Sequence, residues 1–223
     1  MVHPHTVTLR AAVAVTCAVV ELPAIWIGTD LGPLRDCDGT YCDYPVDSLP
    51  PLPDDRFDGT FGWLAGAGGG EDAMEPGFIP STMDAPLPEV FERFMARPDL
   101  LGAVRTCTSC YWDVSERSLP GPDGDGDRLV RFLADQQDCV LWYLHLRPDG
   151  SHRVVAGGVR YDEDDPPAPD RLRADLIVVA PDFERFVYRF WVENLAWFEV
   201  VDDELPPDEW SAPVREYLAH YVG

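Results

Sequence analysis

Six cysteines, five histidines and two dense acidic runs are the groups in this 223-residue chain whose types and spacing could do chemistry. Cys107-Thr108-Ser109-Cys110 is a C-x2-C pair, which presents two thiolates to one metal, and zinc needs two further ligands. Cys37 and Cys42 form the other pair, spaced C-x4-C, so the four together would make a zinc site joining the N-terminal segment to the rest of the chain. The alternative is ordinary thiols, buried or half-exposed, with no cofactor. A thioredoxin-like role does not fit, because the C-x2-C pair is not set between the strand and helix of a βαβ unit.

Asp123-Gly124-Asp125-Gly126-Asp127 imitates the opening of a calcium loop. Such a loop needs glycine at position six and a bidentate acid at position twelve, where this chain has Arg128 and Ala134. The second acidic run is Asp162-Glu163-Asp164-Asp165. Both are candidates for contacts with a positively charged partner, and both would equally serve to solvate their turns. His3, His5, His145, His152 and His220 fall in no nucleophile, metalloprotease or kinase motif. Gly66 to Gly70 lacks the Lys-Ser/Thr of a phosphate loop, and Gly157-Gly158 is no dinucleotide fingerprint. The expectation is a protein without a catalytic site.

The elements that must position these groups are clearest in the second half. Leu87, Val90, Phe91, Phe94 and Met95 recur at helical spacing over Pro86 to Arg97, with Asp84 as a possible cap and Pro98 as a stop. Leu129 to Leu133 and Cys139 to Leu146 read as strands. The turn residues Arg147-Pro148-Asp149-Gly150-Ser151 then lead into Arg153 to Tyr161, giving a β-hairpin on which His145 and His152 are candidate cross-strand neighbours. Leu176 to Val179 is a further strand. Pro181 opens a helix with Phe183, Phe186, Val187, Phe190, Trp191, Asn194, Leu195 and Phe198 on one broad stripe, and Arg185 and Arg189 on the other side. Such a stripe is what a helix packed on a sheet needs. Trp210 to Tyr221 is expected to form a last short helix.

The first part of the chain is harder to read. Val7 to Val20 fits a strand or a buried helix, and Arg10 before the apolar run Ala11 to Val20 faintly resembles a signal peptide. Glu21 and the lack of a small-residue cleavage site count against that, so a cytoplasmic location is expected. Asp36 to Pro53 and the glycines at 66 to 70 read as linker and hinge. The division expected is an N-terminal extension over 1–80, an α+β domain over 81–200 and a helical tail over 201–223.

Composition narrows function further. With 46% hydrophobic residues the chain is too apolar for disorder, and a chain this long buries about 70% of its unfolded surface without needing disulfides or metal. It carries 40 acidic residues against 17 basic ones, all Arg, for a formal charge of -23. Direct binding to nucleic acid or an anionic membrane needs the opposite sign. No stretch is long and apolar enough for a transmembrane helix.

Several segments in order form a recognisable pattern. Leu87-Pro88-Glu89-Val90-Phe91-Glu92-Arg93-Phe94 is followed by Arg128-Leu129-Val130-Arg131-Phe132-Leu133-Ala134-Asp135-Gln136-Gln137. Asp138-Cys139-Val140-Leu141-Trp142-Tyr143-Leu144, the Pro148-Asp149-Gly150 turn and the helix from Phe183 to Asn194 complete it. This resembles the SUKH superfamily, which includes fungal cell-wall-assembly regulators and bacterial immunity proteins, over about Leu87 to Phe198. The resemblance implies an α+β fold with a mixed or mostly antiparallel sheet flanked by helices, and a binding protein with no catalytic residues. It further implies a protein partner, foremost a basic, nuclease-like toxin that the acidic chain neutralises. A regulatory scaffold that binds a host protein is the other reading it offers.

Overall fold

The computed structural model describes residues 21–222 apart from 69 and 125, so the strand-or-helix expectation for Val7 to Val20 and the candidate contact Asp125 lie outside the described residues. Two short strands, β1 (Ile25–Gly28) and β2 (Cys42–Pro45), pair antiparallel as a separate ribbon. After them come α1 (Glu89–Met95), the single turn α2 (Pro98–Leu101), and the two-residue strands β3 (Tyr111–Trp112) and β4 (Leu119–Pro120). The long strands β5 (Arg128–Ala134), β6 (Leu141–Leu146) and β7 (His152–Gly157) follow. The chain then forms α3 (Pro169–Asp175), β8 (Ile177–Ala180), α4 (Phe183–Trp197) and α5 (Ala212–Val222). The main sheet has the order β3-β5-β6-β7-β8, with β4 also on β5, and every strand pairing in it is antiparallel.

The hairpin forms where its turn residues require. Gly150 adopts φ +83°, a left-handed conformation that glycine reaches without a Cβ clash. The Asp149 carboxylate accepts from the Ser151 amide, and Leu146 stands opposite His152. This register puts Arg153, not His152, across from His145. His145 and His152 therefore face opposite sides of the sheet, and His152 accepts the Phe183 amide at the start of α4.

Alternation along β6 divides the interior into two layers. Trp142, Leu144 and Leu146 face α4 and α1, while Leu141 and Tyr143 face α3, Leu172 and Leu176. A bulge between Arg131 and Leu133 of β5 puts both Phe132 and Leu133 on the α4 side. Phe183 and Phe186 pack edge-on against Phe132, and Phe91 and Phe94 pack against Phe183. Asp182 caps α4 by accepting the Arg185 amide at 2.8 Å. The expected cap of α1 does not form: Pro88 takes that position, and Asp84 accepts the Ser118 amide instead.

Residues 22–80 are not a separate appendage. Trp26, Leu31, Leu49, Phe61, Leu64 and Met74 are buried in the same core as α4 and α5. These apolar side chains recur at irregular intervals, so no periodicity marks them, yet Trp26 packs against Phe186 and Phe61 against Phe183 of α4. That cover changes the character of the helix. Arg189, expected on a solvent face, is buried, as are Glu184 and Glu193. No helix among the described residues is long and apolar enough to cross a membrane.

Candidate functional site

The first acidic run turns Asp127 inward. His145 is fully buried on β6, and its Nε2 lies 2.8 Å from Asp127 Oδ2 and 3.8 Å from Asp123 Oδ2. Arg153 Nε donates to His145 Nδ1 at 3.0 Å, so Nδ1 must accept and Nε2 carries the proton toward Asp127. Burial, reinforced by the Arg153 charge, pulls the His145 pKa down despite the neighbouring carboxylates. Asp123 is neutralised by Arg153 at 3.1 Å, and its amide donates to Asp127. Asp123, Asp127 and His145 are the one group of three such side chains close enough to share a metal among the described residues. Their chemistry disfavours one. A metal-bound imidazole would need its other nitrogen to donate, and here that nitrogen faces an obligatory donor. Asp127, expected as a partner contact, is instead an internal brace, because the strand register places it over His145.

The second run stays at the surface. Asp162, Asp164 and Asp165 are exposed, but Glu163 accepts the Arg117 amide and Asp164 pairs with the Arg117 guanidinium at 2.5 Å. Asp162 accepts the Asp164 amide and shapes the turn. Half of this run is already engaged by the chain itself.

The segments that carry the two cysteine pairs meet, but not as four thiolates. Cys37 and Cys42 form a disulfide, which removes both from a zinc site. Tyr41, inside that ring, donates to Thr108 at 2.8 Å and lies against the Cys110 sulfur. Cys107 and Cys110 are free thiols, and burial pushes the Cys107 pKa up to about 12 and that of Cys110 upward as well, against the thiolate form that zinc requires.

The densest polar cluster escapes motif reading. Glu193 of α4 is buried, and its carboxylate takes a bidentate pair from Arg35 at 2.7 Å on each oxygen. Trp26 Nε1 donates to the same group at 2.8 Å, and the Tyr217 hydroxyl of α5 donates to Oε1. Arg189 donates to that hydroxyl at 2.9 Å and to the Pro50 carbonyl at 3.0 Å. Burial alone would raise the Glu193 carboxyl, but the Arg35 guanidinium outweighs it and holds the pKa below the usual value. Gly28 is needed here, since a Cβ would lie 2.7 Å from Arg35 Nη2 and 3.0 Å from Glu193 Oε2.

One surface carries acid without compensation. The loop between β1 and β2 lies against the end of α4, where Trp197 donates to the Asp30 carboxylate at 3.1 Å and Gly32 approaches the Val200 and Val201 side chains. Past Trp197 the helix widens into a π-type turn, Phe198–Asp202. Asp36, Asp38 and Asp43 on the loop side, and Asp202, Asp203 and Glu204 beyond the turn, are all exposed. Among the described residues, none of these six forms an ion pair. The nearest basic residue in sequence, Arg35, is spent on Glu193. The sequence reading missed this pole, although one signal was present: no basic residue falls between Glu199 and Glu209.

Compared with protein-family models, curated proteins and solved structures, the chain matches none.

Proposed function

We propose that the protein is a non-catalytic binding protein that captures a basic protein surface through this acidic pole, in the manner of an immunity protein neutralising a nuclease-like toxin. The carrying observation is the set of six exposed carboxylates on two adjoining segments, none in an ion pair among the described residues, while the neighbouring Arg35 and Arg105 are engaged by Glu193 and Asp72. A nuclease presents a basic groove to its substrate, and an acidic face of complementary shape can occupy it. Such pairing steers encounter and suppresses wrong partners. The motif resemblance over Leu87 to Phe198 supports the same reading, since members of that superfamily act by binding.

The test is affinity capture with the full chain and with a variant carrying Asp36→Asn, Asp38→Asn, Asp202→Asn and Asp203→Asn. Wild type should retain a basic protein at low ionic strength whose nuclease activity falls on binding, and the variant should lose it. An acidic partner, or one held equally by both baits in high salt, overturns the proposal.

A further inference from the structure

We propose that the Cys37–Cys42 disulfide is a redox latch on the Arg35–Glu193 ion pair, so that reducing it loosens α5 on the far side of that pair. The loop from Thr29 to Tyr41 buries Leu31 in the main core and is otherwise organised around the Arg35 side chain. That guanidinium donates to the Thr29 carbonyl at 2.9 Å, lies 4.3 Å from the centre of the Tyr44 ring, and reaches Glu193. Cys37 follows Arg35 by two residues, and the disulfide ties it to Cys42, which the strand register holds opposite Gly28. The covalent link thus fixes the return path of the loop beside the residue that carries the compensating charge. Glu193 in turn holds α5 through Tyr217. Disulfide, Arg35, Glu193, Tyr217 and α5 form one connected series.

Both cysteines are partly exposed, so a reductant can reach them. A dithiol reductant attacks one sulfur as its thiolate, forming a mixed disulfide, and its second thiol resolves that bond. The Cys37–Cys42 bond breaks, two S–H groups form, and the reductant closes into its own disulfide, a transfer of two electrons and two protons. The freed loop gains backbone freedom that an ion pair alone must then oppose. A burial-dependent pair tolerates such loosening poorly, because a carboxylate left half-compensated in the interior is costly.

The latch is read by amide hydrogen exchange of the full chain with and without dithiothreitol, with circular dichroism confirming that the protein stays folded. Reduction should speed exchange about tenfold in both the 29–36 loop and α5. The Cys37→Ser/Cys42→Ser double variant should show the fast pattern without reductant and no further change with it. Loosening confined to residues 36–43, with α5 equally protected in both states, makes the disulfide a local staple and overturns the proposal. So does a dithiothreitol effect that persists in the double variant. Should the variant not fold, the wild-type comparison of loop against α5 still decides.

Discussion

The turn at 123–127 and the pole formed by residues 36–43 and 202–204 are built from the same residue type, yet they end in opposite states. In the turn, β6 and β7 bring His145 and Arg153 beneath the carboxylates, and Asp127 is almost wholly buried. At the pole Arg35 points inward to Glu193 and Arg105, over the Phe198 ring, pairs with Asp72, so six acids face solvent without an ion pair among the described residues. Acid density along a chain therefore says little about surface charge. What decides is whether the strand register or a helix end delivers a cation to the same place. Asp123 and Asp127 are engaged by Arg153 and His145 for that reason, while the acids on two segments distant in sequence have no such partner among the described residues.

If cation delivery is the rule, the strongest way to break it is to remove an acid whose cation is buried. Glu193→Gln leaves Arg35 charged, buried and uncompensated, and breaking a buried pair in this way costs about 3–5 kcal/mol. Urea unfolding should show that loss, with an unchanged slope if the compactness of the two end states is preserved. Gly28→Ala attacks the same pair by steric means: its methyl group would displace Arg35 and the Glu193 carboxylate, for a loss of about 1–3 kcal/mol. A destabilisation under 0.5 kcal/mol in either variant would show the cluster to be looser than its geometry.

Two histidines, His145 buried beneath the turn and His152 half-buried on the opposite face of the sheet, offer a titration. His145 and His152 both have pKa values lowered by burial from the ordinary 6.5. Below that value the unfolded chain takes up protons that the folded chain refuses, so stability is complete above about pH 7 and falls as acid is added. The urea midpoint should drop between pH 7.5 and 5.5, and His145→Gln should flatten part of that slope. A midpoint independent of pH over this range would show that both rings titrate as they do in water.

The sequence made the α+β character visible, because the hairpin and the α4 stripe are local patterns read from periods of two and about 3.6 residues. The expected four-cysteine zinc site does not form: Cys37 and Cys42 close a disulfide, and Tyr41 within that ring touches the segment that carries Cys107 and Cys110. What escaped was set by long-range packing. Nothing near Trp26 or Phe61 announces that they cover α4, so Arg189 reads as lying on the side away from the apolar stripe and the burial of Glu193 has no signal. The β5 bulge and the one-residue register between His145 and Arg153 likewise depend on pairing, which composition does not encode. The pole combines two segments more than 150 positions apart and had no local motif to announce it.

The mildest perturbation sharpens the comparison most, because it separates charge from stability. Neutralising Asp36, Asp38, Asp202 and Asp203 as asparagines removes exposed charges that form no ion pair among the described residues, and each change should alter unfolding free energy by less than about 0.5 kcal/mol. Relieved self-repulsion gives the sum a slightly stabilising sign. The same four changes should slow association with a basic partner about tenfold at low salt, and the difference should shrink as salt shortens the Debye length. Asparagines at Asp162, Asp164 and Asp165 serve as the matched control, since Asp164 already answers Arg117 and its run holds a cation of its own. Stopped-flow association at two ionic strengths distinguishes the sets. Equal slowing by both would mean that total charge steers the encounter; slowing by the first set alone would mean that the pole does.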